Sequence, residues 1–140
     1  PPTVLIDRLI RAGKLSVKRD AAQKITFHDP CYLGRHNDIM DEPRSVVAAL
    51  GELVEMPRNR KDSFCCGAGG GNYWSREAGT ARISDVRVAE ALDTGADKIA
   101  TSCSFCLLML GSSSAKHTEQ RKVFDLAEIV VESLQDGTGT

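Results

Sequence analysis

The chain has 140 residues, 41% of them hydrophobic, and a formal net charge of −1 at pH 7. This charge balance gives no reason to expect nucleic acid or an anionic membrane as a partner, and no apolar run approaches the roughly 20 residues of a membrane-spanning helix. The length suits one domain with a substantial core, so disulfides are not needed for folding.

Helical and strand patterns alternate along the chain. In the first half they predict a helix that Thr3 caps and Gly13 ends, a strand at 25–28, a helix at 45–50 with Pro43 in its first turn, and a strand at 53–56. In the second half they predict the longest helix at 75–93, a strand at 96–100, a helix at 104–110 broken near Gly111, a strand at 123–124, a helix at 126–134 and a frayed tail at 137–140.

This alternation is typical of an α/β fold: a three-layer domain with a mainly parallel sheet of about four short strands. Ligands of such sheets bind beyond the carboxyl ends of the strands. Cys31 and Cys103 each follow a predicted strand, and the loop with Cys65 and Cys66 follows another. We therefore expect all five sulfurs, including that of Cys106, at one edge of the sheet.

The cysteine count also bears on the kind of site. Five is an odd number for a secreted disulfide framework, and the clustered spacing fits an intracellular metal or redox site better. The N-terminus has no initiator Met and no signal peptide. We therefore expect residues 1–140 to be a single cysteine-rich domain of a longer cytoplasmic protein, whose membrane association, if it has one, lies outside this chain.

The spacing of the five thiols is informative about the metal. A C-x-x-C pair that opens a helix, here Cys103 and Cys106, is found in iron–sulfur, zinc and dithiol sites. Five thiolates exceed the four ligands of a closed zinc site or an ordinary cubane. If Cys65 and Cys66 bind different metals of one cluster, all five cysteines can serve as ligands.

A glycine-rich loop follows the vicinal pair. Gly67 and Gly69 fit a dinucleotide-binding fingerprint, but Asn72 stands where its third small residue belongs. We favour a loop that allows close backbone approach and N–H···S bonds to a metal–sulfur site.

The pattern Cys31…Cys65-Cys66…Cys103-x-x-Cys106, with Gly67 after the pair, resembles the cysteine-rich CCG domain of the heterodisulfide reductase family, as found in its B-type subunit. The stretches HDPCYLGRHN, EMPRNR and CCGAGGG are most similar to the C-terminal domain of membrane-associated iron–sulfur oxidoreductases of the electron-transfer flavoprotein:quinone type. The resemblance covers nearly the whole chain. It implies a [4Fe–4S] cluster, non-cubane in the best-understood members, with these five cysteines as ligands.

Two departures from the family are visible. Ser104 stands where the family commonly has proline, which removes no ligand. Family proteins also carry a second motif and a ferredoxin-like module, which we expect outside this chain. The resemblance implies electron transfer within a larger oxidoreductase, with other domains or subunits, electron-transfer flavoprotein and quinone as partners.

Two alternatives stay open at this point. Zinc bound by four of the five cysteines would make the chain a structural or interaction module with no redox role. A cluster that itself binds and cleaves a disulfide would instead make the chain directly catalytic, and this needs an open pocket at the sulfurs.

Other polar and aromatic residues lie near the cysteines in sequence. His28 and His36 flank Cys31, and we expect supporting or structural roles for them rather than metal ligation. Tyr73 and Trp74 are expected to pack beside the site.

A basic run precedes the vicinal pair, formed by Arg58, Arg60 and Lys61. Such a run is usually a solvated face. The alternative is that it docks an acidic electron-transfer partner or offsets the negative charge of the cluster.

Overall fold

The computed structural model describes residues 1–75 and 81–134. Five helices and four strands alternate along these residues. They are α1 (Pro2–Arg11), β1 (Lys24–Phe27), α2 (Asp41–Leu50), β2 (Glu52–Leu53), α3 (Ile83–Asp93), β3 (Lys98–Thr101), α4 (Ser104–Ser114), β4 (Val123–Asp125) and α5 (Leu126–Glu132). Short 3-10 turns at Arg60–Asp62 and Gly69–Gly71 lie on either side of the vicinal cysteines.

The four strands form one sheet in the order β2-β1-β3-β4. All three pairings are parallel, with Ile25 opposite Leu53 and Lys98, and Ile99 opposite Val123. The backbone N–H of His28 donates to the Ala100 carbonyl at 2.8 Å, which carries the β1–β3 pairing one residue past β1. The predicted α/β fold with a parallel sheet of four short strands is confirmed.

Hydrophobic side chains cover both faces of the sheet. On one face Ile25, Phe27 and Ala100 pack with residues of α2 and α5, and side chains of α1 lie against this cluster. On the other face Ile99 and Val123 pack with residues of α3 and α4. The molecule therefore has three layers, helices, sheet and helices, and the second core contains two of the cysteines.

The second strand is shorter than predicted, because only Glu52 and Leu53 pair with β1. The N–H of Val54 still donates to the Ile25 carbonyl at 3.0 Å. Beyond this point Glu55 binds Arg44 of α2 and Met56 is buried in the α3–α4 core. These contacts draw the chain away from the sheet edge.

Helix α4 is longer than predicted, and Gly111 does not break it. Glycine in a helix costs only about 1 kcal/mol relative to alanine. Here Leu110, Ser113 and Ser114 are buried along the helix, and the Ser113 hydroxyl donates to Asp85 of α3. This packing holds the last turn in place.

Helix α3 begins at Ile83, later than the predicted start at 75. Ser75, Ala81 and Arg82 are not helical, and residues 76–80 lie outside the described part of the chain, as does the predicted tail at 137–140. Ile83 is the first large apolar residue of the pattern, and Ala81 and Arg82 directly before it offer little apolar surface to bury.

The remaining boundaries differ by a few residues. Thr3 is buried inside α1 and does not cap it, since the helix begins at Pro2. Helix α2 begins four residues early but keeps Pro43 in its first turn. Helix α5 ends at Glu132 and begins directly after β4, where Asp125 and Glu128 form a capping box.

No helix within residues 1–75 and 81–134 is long and apolar enough to cross a membrane.

Alanine substitutions at two glycines are expected to have opposite effects on the stability of the fold. A Cβ on Gly51 would lie 2.5 Å from the Gln23 carbonyl oxygen, whereas one on Gly111 meets no atom within 4 Å. We expect Gly51→Ala to destabilise the fold by about 1–3 kcal/mol through overpacking at the β1–β2 edge. Gly111→Ala should stabilise α4 by about 0.5–1 kcal/mol. Urea unfolding of the two variants checks this, and a similar loss in both would contradict the steric explanation.

Candidate metal centre

The strands and helices bring the cysteine-bearing loops to one edge of the sheet. Cys31 lies four residues after β1, and Cys103 lies two residues after β3, where it is the N-cap of α4. Cys106 lies in the first turn of α4. Because β1 and β3 are parallel neighbours, their carboxyl ends meet at the same edge.

Three of the five predicted cysteines are in contact. The Sγ atoms of Cys66 and Cys106 lie 3.3 Å apart, and both side chains are buried. Cys103 packs against the buried cluster that contains these two cysteines. A ring nitrogen of His28 lies within 4.8 Å of the sulfurs of Cys66 and Cys106. The vicinal pair and the C-x-x-C pair therefore meet, as the position of their loops after the strands predicted.

The other two cysteines lie in the adjoining loops. Cys31 is exposed, and Cys65 is half-buried with its sulfur accepting the Gly67 N–H at 3.2 Å. Among residues 1–75 and 81–134, neither thiol belongs to the contacting group of sulfurs. The metal-ligand role of all five cysteines stays a prediction.

Hydrogen bonds to sulfur favour thiolates at this site. The pKa of Cys66 falls to about 4, first because the Cys106 thiol donates to it and then because His28 and the Ala68 N–H do so. The pKa of Cys103 falls to about 6, through the Cys106 thiol and the N–H groups of Cys106 and Phe105 at the start of α4. The pKa of Cys106 is raised, because its proton lies between the two neighbouring sulfurs. A metal cation that replaced this proton would be bound by the sulfurs of Cys66 and Cys103, which are already thiolates at neutral pH.

The lowered pKa of Cys103 predicts a specific pH dependence in the metal-free, reduced protein. Since the thiolate is the nucleophile, alkylation of Cys103 should keep its rate down to about pH 6 and fall only below it, whereas an ordinary thiol slows below about pH 8.5. Rates of iodoacetamide labelling at Cys103, followed by peptide mass spectrometry across this range, check it. A midpoint near that of free cysteine would contradict it.

A buried arginine lies behind the sulfurs. Arg87 of α3 donates from Nε to the His28 Nδ1 atom at 3.0 Å, from Nη1 to the Arg58 carbonyl at 2.8 Å and from Nη2 to the Ser63 hydroxyl at 3.2 Å. Its Nη1 atom also lies 3.0 Å from the Glu90 carboxylate. Arg87 thus connects α3, the end of β1 and the loop that leads to the vicinal cysteines.

A second buried arginine anchors the segment before Cys31. Arg44 of α2 donates from Nη1 and Nη2 to the two carboxylate oxygens of Asp29, both at 2.8 Å, and it also binds Glu55. The Arg60 N–H donates to the same Asp29 carboxylate. The pKa of Arg44 is raised by these acids despite its burial.

The sequence prediction missed both arginines. Arg44 lies three residues before Val47 and Arg87 four residues before Ala91, on the buried faces of their helices. Each arginine occupies a core-facing position of its helical pattern, and this position could have predicted its burial. Arg44 holds Asp29, and the expected supporting role of His28 stays a prediction.

Each cation of the basic run pairs with a carboxylate of the chain, and Arg58 shares its partner Glu90 with Arg87. Arg58 pairs with Glu90 at 2.9 Å, and its guanidinium lies 3.8 Å from the centre of the Phe64 ring. Arg60 pairs with Asp41 at 2.6 Å and Lys61 with Asp38 at 2.7 Å. These ion pairs favour the solvated-face interpretation over docking of an acidic partner.

The glycine loop and the aromatic residues border the site. Gly67 has φ +87, and a Cβ there would lie 3.1 Å from the Ile83 Cβ. Only glycine therefore fits at this position without strain. Tyr73 packs edge-on against Trp74 and Phe105, with centroids 4.7 and 5.9 Å apart, and Phe105 lies between the two cysteines of the C-x-x-C pair.

The donor set fits a thiolate-bound metal group. The sulfurs of Cys66, Cys103 and Cys106 lie close together, next to backbone N–H groups that favour the thiolate form. Soft thiolates select zinc, copper(I) and iron–sulfur clusters. The hydroxyls of Thr101 and Ser102, directly before Cys103, are buried without a hydrogen-bond partner among the described residues. The fold and the site together define a cysteine-rich α/β domain with a thiolate centre at the carboxyl edge of its parallel sheet.

Comparison with known families leads to the same class. The model of the CCG family, described as a cysteine-rich domain, matches residues 25–111, more than half of the chain. The chain belongs to this family, which confirms the resemblance inferred from the cysteine spacing.

Several longer proteins are similar to the chain. It is 38% identical to the EtfAB:quinone oxidoreductase of Syntrophomonas wolfei, over 95% of the chain and 20% of that protein. It is 40% identical to the "Probable iron-sulfur-binding oxidoreductase FadF" of Bacillus subtilis, over 94% of the chain and 19% of that protein. It is 34% identical to one subunit of the dihydromethanophenazine:CoB–CoM heterodisulfide reductase of Methanosarcina barkeri, over 94% of the chain and 33% of that subunit. The chain thus spans about a fifth to a third of the length of these relatives.

Proposed function

We propose that the chain is an iron–sulfur cluster-binding electron-transfer domain of a larger oxidoreductase. The observation that carries the proposal is the buried contact between Cys66 of the vicinal pair and Cys106 of the C-x-x-C pair. Names of relatives that describe an iron–sulfur-binding oxidoreductase and part of a heterodisulfide reductase support it.

The ligand set of the proposal has five members, Cys31, Cys65, Cys66, Cys103 and Cys106. A bound cluster supplies reversible one-electron transfer at a potential set by its surroundings. The chain contributes N–H donors to sulfur from Gly67 and from the start of α4. Burial of Cys66 and Cys106 keeps water from the sulfurs at the centre.

The finer form of the proposal is a [4Fe–4S] cluster of non-cubane type, because five cysteines exceed what a cubane uses. Other domains or subunits of a redox complex are the proposed partners. Electron-transfer flavoprotein and quinone are favoured, because a relative that matches nearly the whole chain is named an EtfAB:quinone oxidoreductase. The five free cysteines fit a reducing compartment, and we propose the cytoplasm.

Zinc is the second candidate, and one observation favours it. A ring nitrogen of His28 lies within 4.8 Å of the sulfurs of Cys66 and Cys106. These three residues offer two sulfurs and one nitrogen, ligand types that structural zinc sites use. Direct disulfide cleavage is less favoured, because Cys66 and Cys106 are only 6% and 3% exposed.

Metal and sulfide analysis of the anaerobically purified protein separates these functions. A cluster predicts a brown protein whose electron paramagnetic resonance signal changes on reduction, with about four iron and about four acid-labile sulfide attributable to this motif. Zinc predicts a colourless site with one zinc and no sulfide. Zinc without iron after anaerobic purification would overturn the electron-transfer proposal.

A further inference from the structure

We propose that Arg87 holds His28 as a fixed N–H donor to the Cys66 sulfur, and that this hydrogen bond tunes the reduction potential of the bound cluster. The inference rests on the proposed function, and it makes His28 and Arg87 positioning residues rather than ligands. Its basis is a chain of buried contacts that runs from Arg87 through His28 to the sulfur.

The contact between Arg87 and His28 determines the tautomer of the imidazole. The Arg87 Nε atom lies 3.0 Å from the His28 Nδ1 atom. A guanidinium has five donors and no acceptor, so Nδ1 must accept this hydrogen bond. The ring proton of a neutral imidazole then lies on Nε2, which remains free to donate.

The imidazole is held in its neutral form. His28 is 1% exposed, and its Nδ1 atom accepts the hydrogen bond from Arg87 and so carries no proton. The ring therefore offers one N–H, and a ring nitrogen of His28 lies within 4.8 Å of the Cys66 sulfur. Ligation of a metal by this ring nitrogen would remove that proton, so donation and ligation are mutually exclusive.

The donor is held rigidly. The side chain of Arg87 is 1% exposed, and all three of its nitrogens are engaged, by His28, the Arg58 carbonyl and Ser63, with Glu90 as its counter-ion. Rotation of the His28 ring would break the bond from Arg87 inside the protein, where an unpaired donor is costly. The arrangement thus resembles the second layer of contacts that orients ligands in metal sites.

The direction of the effect follows from electrostatics. Reduction adds negative charge to the cluster and its sulfurs, and an N–H directed at a ligand sulfur stabilises that charge. Loss of the donor should therefore shift the midpoint potential to more negative values. A merely structural role for His28 would alter stability without this directional shift.

The test compares two amide substitutions in the full-length protein, purified anaerobically with its cluster. Glutamine places its amide nitrogen near the position of His28 Nε2, whereas asparagine reaches only to Nδ1. We expect His28→Asn to shift the midpoint potential negatively and His28→Gln to keep it near the wild-type value. His117→Asn is the matched control, because His117 is exposed in the segment after α4. Redox titration followed by electron paramagnetic resonance measures the potentials.

Arg87→Lys tests the other half of the arrangement. Lysine keeps the charge facing Glu90 but cannot supply the Nε donor together with the other two hydrogen bonds. We expect a negative shift in this variant and, since both residues act through one hydrogen bond, no further shift when it is combined with His28→Asn. Additive shifts would overturn the inference.

Iron and sulfide contents distinguish the remaining outcomes. An unchanged potential in His28→Asn at full iron content overturns the inference and leaves the proposed function intact. Loss of iron from both His28 variants with a native circular dichroism spectrum also overturns it, because His28 would then be a ligand. Wild-type protein without iron and sulfide overturns the proposed function together with the inference.

Discussion

Replacing Cys106 with serine is expected to remove the metal centre. The Cys106 thiol is buried and donates to the Cys66 sulfur, so it links the C-x-x-C pair to the vicinal pair. A serine hydroxyl is a poor ligand for metals that select soft thiolates. Iron and acid-labile sulfide should fall to background in the anaerobically purified variant, as measured by colorimetric analysis. Cys65→Ser is expected to lower both contents as well.

Ser104→Pro is the matched control, because it lies in the same C-x-x-C motif. Ser104 is exposed at the first position of α4, where proline is well tolerated. The N–H groups that bind the Cys103 sulfur come from Phe105 and Cys106, so they are preserved. Wild-type iron content in this variant is the expected result. If the Cys65 and Cys106 variants also kept full metal content, the five-thiolate site would be wrong.

Asp29→Asn is expected to cause a large loss of stability. Asp29 accepts two hydrogen bonds from the buried Arg44 guanidinium and one from the Arg60 N–H. Removing one charge of a buried pair costs about 3–5 kcal/mol, because the other charge is left uncompensated. Glu55 still binds Arg44, so the loss should lie near the lower end of that range. The free energy of urea unfolding measures it.

Asp38→Asn is the control for this change. It neutralises an aspartate paired with Lys61 on the surface, where both side chains are more than 60% exposed. Asparagine also tolerates the left-handed backbone at this position. Exposed ion pairs contribute little, so the unfolding transition should barely move. Equal losses in the two aspartate variants would contradict a special contribution from the buried Asp29–Arg44 pair.

Much of the architecture could be predicted because its signals are local. Short β-rich segments next to helical patterns predicted the strands near Ile25, Ile99 and Val123, and these strands form the observed parallel sheet. Errors occurred where packing overrides local preference. The strand at Leu53 ends early because Glu55 and Met56 find partners elsewhere, and α4 continues through Gly111 because its far end is buried.

The candidate site could likewise be predicted from the sequence only in part. The position of the cysteine loops after the strands predicted that all five sulfurs meet at the sheet edge, and Cys66, Cys103 and Cys106 do meet there, whereas Cys31 and Cys65 lie in the adjoining loops. The supporting arginines could not be predicted in the same way, since Arg44 and Arg87 look in sequence like ordinary surface cations of helices. Only the packing of the two helices shows that both are buried and hydrogen-bonded.

The family, the α/β class and the loops that carry the five cysteines could all be established from the order of residues along the chain. The family follows from the resemblance of the cysteine motif to known proteins, and the class and the loops follow from periodicity; neither requires knowledge of distant contacts. Which sulfurs touch, and which ring nitrogen of His28 is free to donate, depends instead on how the elements pack. Arg87 is 59 residues from His28 along the chain, and their contact exists because α3 packs against the sheet edge where β1 ends.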